Sequence, residues 1–337
     1  MRFRRKRRTK LGEGSSIQLD ESEAADLQVE ARVDFVLWLE NDVSLNILMR
    51  LDDPTDVLCA GAVSRLWHQF VVTNGISKQL CLRKFPQLST IARITEPYVR
   101  VAERKDVESS NSGWETLNRD HNVYAYLLHD IGKLNICTSD CIGNAVTDSI
   151  RDNDDLDESI FNTLIPMNMY RNRPSYWSSK GHSDPNAPEM LIYKLKADLC
   201  VITEINIQPF EVWFHSGKPI HSAKSVRFRL GHLKSSRDKR DLLHLPEQQP
   251  ADDEFVWTYT SEEFPMRQEN RLQQFKPPEP VLCIGGYLQI ELLGSALRCD
   301  IDDLFYILIC HVKARGRPLY SFGVKNIKPS GDFVLEH

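Results

Sequence analysis

The chain has 337 residues, 41% of them apolar, and carries a net charge of −5. This length predicts two domains with packed cores, and the acidic balance argues against wholesale binding to nucleic acid. Because no apolar run reaches about 18 residues, we expect no membrane-spanning helix. The start of the chain lacks the apolar segment of a secretory signal, so we expect a nuclear or cytoplasmic protein whose eight cysteines are reduced.

Residues 1–32 are predicted to be a disordered tail, basic at first and acidic afterwards. Residues 1–12 hold seven positive charges and no acid, a composition that is typical of a solvated arm. A short cluster of this kind also resembles a nuclear-import signal, and the two interpretations are compatible. The cluster consists of Arg4, Arg5, Lys6, Arg7 and Arg8.

Residues 33–92 are predicted to form a small all-helical module. Apolar residues recur there at helical spacing, and Asp53-Pro54 has the pattern of an N-cap followed by proline at the first helical position. A module this small cannot bury every one of these side chains in its own core, so the surplus predicts a partner protein. The apolar stripes are Val43, Ile47, Leu48 and Leu51; Val63, Leu66, Trp67, Phe70 and Val71; and Ile76, Leu80 and Phe85.

The order of apolar, proline, Ser-Arg and tryptophan positions between Ile47 and Val71 resembles an F-box. An F-box is the helical module that docks a Skp-family adaptor in SCF ubiquitin ligases. The resemblance implies that adaptor as partner, a cullin–RING core bound through it, and an unidentified protein substrate, with no cofactor. The adaptor-binding residues that it implies are Val43, Ile47, Leu48, Leu51, Pro54, Leu58, Val63, Trp67 and Phe70.

Residues 93–129 are predicted to be a linker with short helical segments, including a helical turn at 124–128. Residues 130–328 are predicted to form an antiparallel β-sandwich of the jelly-roll type, because their segments are short, β-branched and aromatic. A charged gap at 231–254 predicts a surface excursion, and residues 329–337 a tail. The predicted strands are 190–195, 199–208, 210–214, 225–230, 255–260, 287–293, 304–312 and 319–324.

The motif RPSYWSSKG at 173–181 resembles the galactose-binding-like (discoidin-type) β-sandwich, and residues 219–228 fit the same fold. Together with the F-box and with IGGYLQIELLG, it resembles a plant family of F-box proteins over residues 33–325. Two interpretations stay open for Tyr176, Trp177 and Ser178. They pack in the sandwich core, which we favour, or they form a loop site for substrate or ligand.

Two functions are compatible with this multidomain α plus β chain. The first is a substrate-recognition subunit of an SCF-type ubiquitin ligase, which presents a target through the sandwich and makes ubiquitin transfer effectively intramolecular. The alternative is a carbohydrate-binding, lectin-like sandwich with an aromatic platform in YWSS. No order of Ser, His and Asp suggests catalysis, and Gly285-Gly286 reads as a β-bulge. The spacing of Cys137 and Cys141 is too loose to predict a metal site.

Overall fold

The computed structural model describes residues 34–51, 53–95, 112–135, 137–148, 158–234, 254–326 and 332–337. The chain divides into two compact units, Met1–Ser44 and Leu45–His337. The predicted tail at 1–32 with its basic cluster, and residues 235–253 of the predicted surface excursion, lie outside the described residues. Residues 231–233, which belong to the same predicted excursion, instead continue a strand.

The first part of the described chain is helical, as predicted. The helices are α1 (Phe35–Trp38), α2 (Asn41–Leu48), α3 (Pro54–Ala62), α4 (Arg65–Thr73), α5 (Ile76–Lys84) and α6 (Ser112–Gly132), with 3-10 turns at Pro86–Thr90, Lys133–Asn135 and Ile160–Leu164. Two N-caps define the start of α3 and α4. The Asp53 carboxylate accepts a hydrogen bond from the Thr55 amide at 2.8 Å, and the Ser64 hydroxyl accepts one from the Trp67 amide at 3.2 Å. The predicted cap at Asp53-Pro54 is confirmed.

Helix α6 is the main departure from the predicted helices. The prediction was a single helical turn at 124–128, and the structure has a helix of 21 residues that begins at Ser112. Its first three turns are mostly polar, with Trp114 and Leu117 as their only large apolar residues, and this conceals the apolar period that starts at Val123. None of the helices in the described residues combines the length and hydropathy that a membrane crossing requires.

The other regular elements of the described residues are strands. They are β1 (Ile91–Thr95), β2 (Ser139–Asp140), β3 (Ile142–Asp148), β4 (Met169–Tyr170), β5 (Arg173–Pro174), β6 (Trp177–Ser178), β7 (Glu189–Leu195), β8 (Leu199–Pro209), β9 (Ala223–Leu233), β10 (Phe255–Thr260), β11 (Phe264–Pro265), β12 (Gln273–Phe275), β13 (Val281–Ile284), β14 (Tyr287–Ser295), β15 (Leu308–Pro318), β16 (Gly323–Asn326) and β17 (Phe333–Glu336).

Two six-stranded antiparallel sheets form the predicted β-sandwich. One has the order β10-β9-β14-β7-β3, with β11 paired to β9, and the other has the order β12-β8-β15-β2, with β13 paired to β8 and β6 to β15. Apolar side chains from both sheets meet in one core, in which Leu288 and Ile290 of the first sheet join Ile207 and Ile309 of the second. The predicted fold class, an all-α module followed by an antiparallel sandwich, is confirmed.

Several local predictions in this half are wrong. Residues 210–214 form a loop rather than a strand, the predicted strand at 304–312 begins only at Leu308, and the one at 319–324 begins only at Gly323. Gly285 and Gly286 do not form a bulge. Both have positive φ, 94° and 72°, and they turn the chain from β13 in one sheet to β14 in the other.

The predicted tail at 329–337 is also wrong for its last residues. Strand β17 pairs in parallel with β1, which directly follows the helical module, and antiparallel with β16. The ring of His337 stacks on Tyr126 of α6 with centroids 5.1 Å apart. These residues therefore pack against the end of the helical module and against α6.

Candidate functional site

Helix α6 packs against the inner side of α4 and α5. The Cys81 thiol lies 3.4 Å from the Tyr124 carbonyl oxygen, and Ser77 Oγ lies 3.1 Å from Nδ1 of His121. Helix α5 packs with a buried face that includes Ile76 and Leu80, both almost fully buried. Because this chain supplies its own inner partner for the module, the apolar residues that remain outside are a true surplus.

The exposed apolar residues of α3, α4 and the turn between them are part of that surplus. Leu58, Val63 and Leu66 are exposed, and Val63 has 62% of its surface accessible. A single exposed apolar side chain is ordinary, whereas several on one packed helix pair indicate a binding surface. We call these three residues the outer face. Ile47 of α2 is likewise exposed.

The predicted adaptor-binding residues divide by exposure. Val43, Ile47, Leu58 and Val63 are exposed; Leu51, Trp67 and Phe70 are partly buried; Leu48 is buried. Pro54 is the first residue of α3, and its side chain lies outside the described part. Leu66 was missed as a site residue, although its apolar stripe was recognised, because spacing alone does not tell which face of a helix points outward.

Two polar contacts hold the connection between α2 and α3. The Arg83 guanidinium donates to the Leu51 carbonyl at 3.0 Å and also to the Met49 carbonyl. The amide hydrogen bond from Thr55 lowers the pKa of Asp53, so the carboxylate caps α3 in its charged form. The loop before the outer face is thus fixed in place by side chains of the module itself.

The motif at 173–181 lies mostly inside the sandwich. Trp177 is fully buried in the core, and its indole Nε1 donates to Asp148 Oδ2 at 2.7 Å. Tyr176 is partly buried, stacks on Phe210 with centroids 4.3 Å apart and donates its hydroxyl to Glu158 at 2.9 Å. Ser178 is buried. For Trp177 the packing interpretation is confirmed, since a fully buried indole has no face left for a ligand.

A second apolar surface lies near Tyr176 at one end of the sandwich. The loop after β8 is closed by a hydrogen bond from the Val212 amide to the Pro219 carbonyl at 3.0 Å, and it carries Trp213 and Phe214 outward. Asn168, beside the β4–β5 hairpin, accepts a hydrogen bond from Cys310, which packs with Phe210. We call the exposed apolar side chains of these two loops, together with that of Phe161 in the 3-10 turn Ile160–Leu164, the end surface. They are Phe161, Met167, Met169, Tyr170, Trp213 and Phe214.

Sequence reasoning missed the end surface because residues 210–214 read as an alternating strand. The available signal was the pair Trp213-Phe214 ahead of a Ser-Gly turn, since consecutive aromatic residues cannot both face the core of a strand. Arg171 lies over the ring of Tyr170, with 5.2 Å between the guanidinium carbon and the ring centroid.

Burial shifts the pKa of several titratable groups. Four histidines have a lowered pKa, chiefly because burial penalises the charged imidazolium. Burial raises the pKa of Glu189, although His182 Nε2 lies 2.6 Å from its Oε1 and opposes the shift. The histidines with a lowered pKa, which we call the four buried histidines, are His121, His221, His232 and His311.

The pair Cys137 and Cys141 does not form a metal site in the described residues. Cys141 is buried beside β3, whereas Cys137 is exposed. Over the described ranges, no group of three or more His, Cys, Asp or Glu side chains is arranged to hold a metal ion.

Comparison with known proteins follows the same division of the chain. The F-box-like family model matches residues 41–83. An F-box protein of Arabidopsis thaliana is 44% identical over 315 residues, which cover 90% of this chain and 82% of that protein.

Solved structures that resemble the chain align with its sandwich. A family 32 carbohydrate-binding module from C. perfringens, solved with galactose, has 11% identity and a TM-score of 0.32 over 51% of this chain and 98% of its own. A module of the same family from Streptococcus pneumoniae has 11% identity and a TM-score of 0.35 over 53% and 100%. Similarities this low carry no argument about ligand. The identity and coverage of the Arabidopsis relative show the family, and this chain belongs to the F-box protein family.

Proposed function

We propose that this chain is the substrate-recognition subunit of an SCF-type ubiquitin ligase. Its helical module docks a Skp-family adaptor, and through it a cullin–RING core, while its sandwich holds a protein target. The chain contributes no catalytic group; it raises the effective concentration of the target's lysine residues near the transfer machinery.

The observation that carries the proposal is the outer face of the helical module. Leu58, Val63 and Leu66 stay exposed although α6 completes the interior of the module. All three lie within residues 41–83, which match the F-box-like family. A few well-packed apolar anchors commonly supply most of the affinity of such an interface.

The adaptor interface is tested by co-purification of the full chain with a plant Skp-family adaptor. The double variant Leu58→Glu/Val63→Glu places two charges on the outer face and should abolish co-purification, because a buried unpaired charge is strongly unfavourable. The matched control is Leu272→Glu, an equally exposed leucine of the sandwich. Unchanged co-purification of the double variant would remove the basis for the adaptor role.

The end surface is our candidate for the target-binding region. Exposed aromatic and thioether side chains adapt to apolar side chains of a protein segment. Six of them, five in two adjoining loops and one in the 3-10 turn at 160–164, exceed what scattered surface residues require. The glycan-binding alternative places its platform at Tyr176–Ser178, where Trp177 is buried, so a protein target is favoured.

Proximity labelling in plant cells tests the target role. Adaptor-dependent labelling of target proteins by the wild-type chain should be lost in the variant Trp213→Ser/Phe214→Ser and kept in Tyr320→Ser, whose side chain is also exposed on the sandwich. Specific retention of the wild-type sandwich on a glycan array, lost in the same double variant, would favour the carbohydrate alternative instead.

We also propose that the basic cluster at 4–8 directs the protein to the nucleus, since a compact group of Arg and Lys is read by import receptors. Replacing Arg4, Arg5, Lys6, Arg7 and Arg8 by alanine in a fluorescent fusion should shift the signal to the cytoplasm. An unchanged nuclear signal would contradict this assignment.

A further inference from the structure

The contacts of α6 with the rest of the helical module follow one helical stripe. Asn118 Oδ1 lies 3.2 Å from Nε2 of His68 on α4, and His121 Nδ1 lies 3.1 Å from the Ser77 hydroxyl on α5. Residues three or four apart share one face of a helix, so this stripe is the inner face of α6.

The stripe continues one turn beyond its covered part. Trp114, four residues before Asn118, contacts the His68 ring edge-on with centroids 6.4 Å apart, yet 40% of its surface is exposed. Leu117 in the next turn is also exposed. A large indole that sits on a packing face with only one side covered is typical of a binding surface.

A cleft of about 610 Å³ opens beside Trp114, between α6 and the residues around the start of α4. Its walls include Ala62 and Ser64, the two residues that flank the strongly exposed Val63. Arg65, His68 and Gln69 of α4 also line the cleft, so its lining combines the Trp114 ring with polar side chains and a cation. Except for Trp114, the residues that line the cleft lie within 41–83, the range that matches the F-box-like family.

We infer that the adaptor-binding surface extends across this cleft onto α6, outside the residues 41–83 that the F-box-like family model covers. The inference rests on the proposed function. The occupant is a segment of the Skp-family adaptor that places an apolar side chain against Trp114 and Leu117 and a carboxylate beside Arg65. Such a contact completes the inner stripe of α6 and gives the cation a partner of opposite charge.

The test is the dissociation constant of the full chain for a purified plant Skp-family adaptor, measured by calorimetry. Trp114→Ala should weaken binding at least about tenfold, as expected for truncation of a buried interface aromatic. Leu117→Glu, at an exposed position that leaves the fold intact, should weaken it similarly. The matched control is Tyr126→Ala, an exposed aromatic residue of the same helix, about 18 Å further along at a rise of about 1.5 Å per residue.

Each outcome separates this inference from the proposed function. If Trp114→Ala and Leu117→Glu bind like wild type while Leu58→Glu/Val63→Glu does not bind, the extension onto α6 is wrong and the adaptor role stands. If Trp114→Ala lowers the melting temperature while Trp114→Ala and Leu117→Glu both keep the wild-type adaptor affinity, Trp114 stabilises the fold only and the inference is overturned. Failure of the wild-type chain to bind the adaptor overturns both.

Discussion

Replacing Trp177 by alanine should destabilise the sandwich more than any change at its surface. The indole is fully buried between the two sheets, so its removal loses the transfer free energy of the ring and leaves a cavity. Such substitutions cost about 3–5 kcal/mol of unfolding free energy. Trp177→Phe removes the hydrogen bond to the Asp148 carboxylate together with part of the ring. It should cost less than Trp177→Ala but at least as much as the loss of a hydrogen bond to a charged group, about 1.5–3 kcal/mol.

Thermal unfolding of the full chain, followed by near-ultraviolet circular dichroism, measures these costs. One kcal/mol shifts the midpoint of a domain of 150–250 residues by about 2–4 °C, so Trp177→Ala should lower it by about 6–20 °C. Trp213→Ala is the matched control, because that tryptophan belongs to the same sandwich and is 41% exposed. Its midpoint should move by little, as for most surface substitutions.

The reasoning fails if Trp177→Ala unfolds at the same temperature as Trp213→Ala. Such a result would mean that the indole at position 177 is not a core side chain, and Tyr176–Ser178 would return as a candidate ligand site. A Trp177→Phe midpoint equal to wild type would show that the bond to Asp148 adds nothing to stability.

Three other properties of the fold are open to measurement. Ser64→Ala removes the cap of α4 and should cost about 1 kcal/mol in urea unfolding, with Ser64→Asp close to wild type; equal losses would exclude capping as the cause. Gly286→Ala should cost about 1–3 kcal/mol of unfolding free energy, because φ is 72° and an added Cβ would lie 2.6 Å from the Ala197 carbonyl oxygen. The control Gly113→Ala meets no neighbour and should cost nothing. The four buried histidines have lowered folded-state pKa values, so their contribution to stability is complete above the ordinary pKa of 6.5 and is lost as pH falls through the folded values. The urea midpoint should therefore decrease from about pH 7.5 to 5.5, and a flat profile would refute this.

Local patterns were predicted well where neighbouring residues decide the structure. The N-cap at Asp53-Pro54 needs only the next two amides, and it is present as expected. The alternation of Val226, Phe228 and Leu230 with two arginines predicted a strand with one buried face, and these three residues are buried in β9. The order of residues from Ile47 to Val71 was likewise enough to predict the F-box.

The sequence by itself thus determined the helical F-box module, the antiparallel sandwich and the surplus of apolar residues that requires a partner. Only the tertiary structure decided which of those residues face outward, because exposure depends on elements that are distant in sequence. Helix α6 covers the inner side of the module while Val63 stays exposed, and Asp148 and both sheets enclose Trp177. Strand β17 lies beside β1 although some 240 residues separate them. Periodicity reports which residues share a face, and long-range packing decides what that face meets.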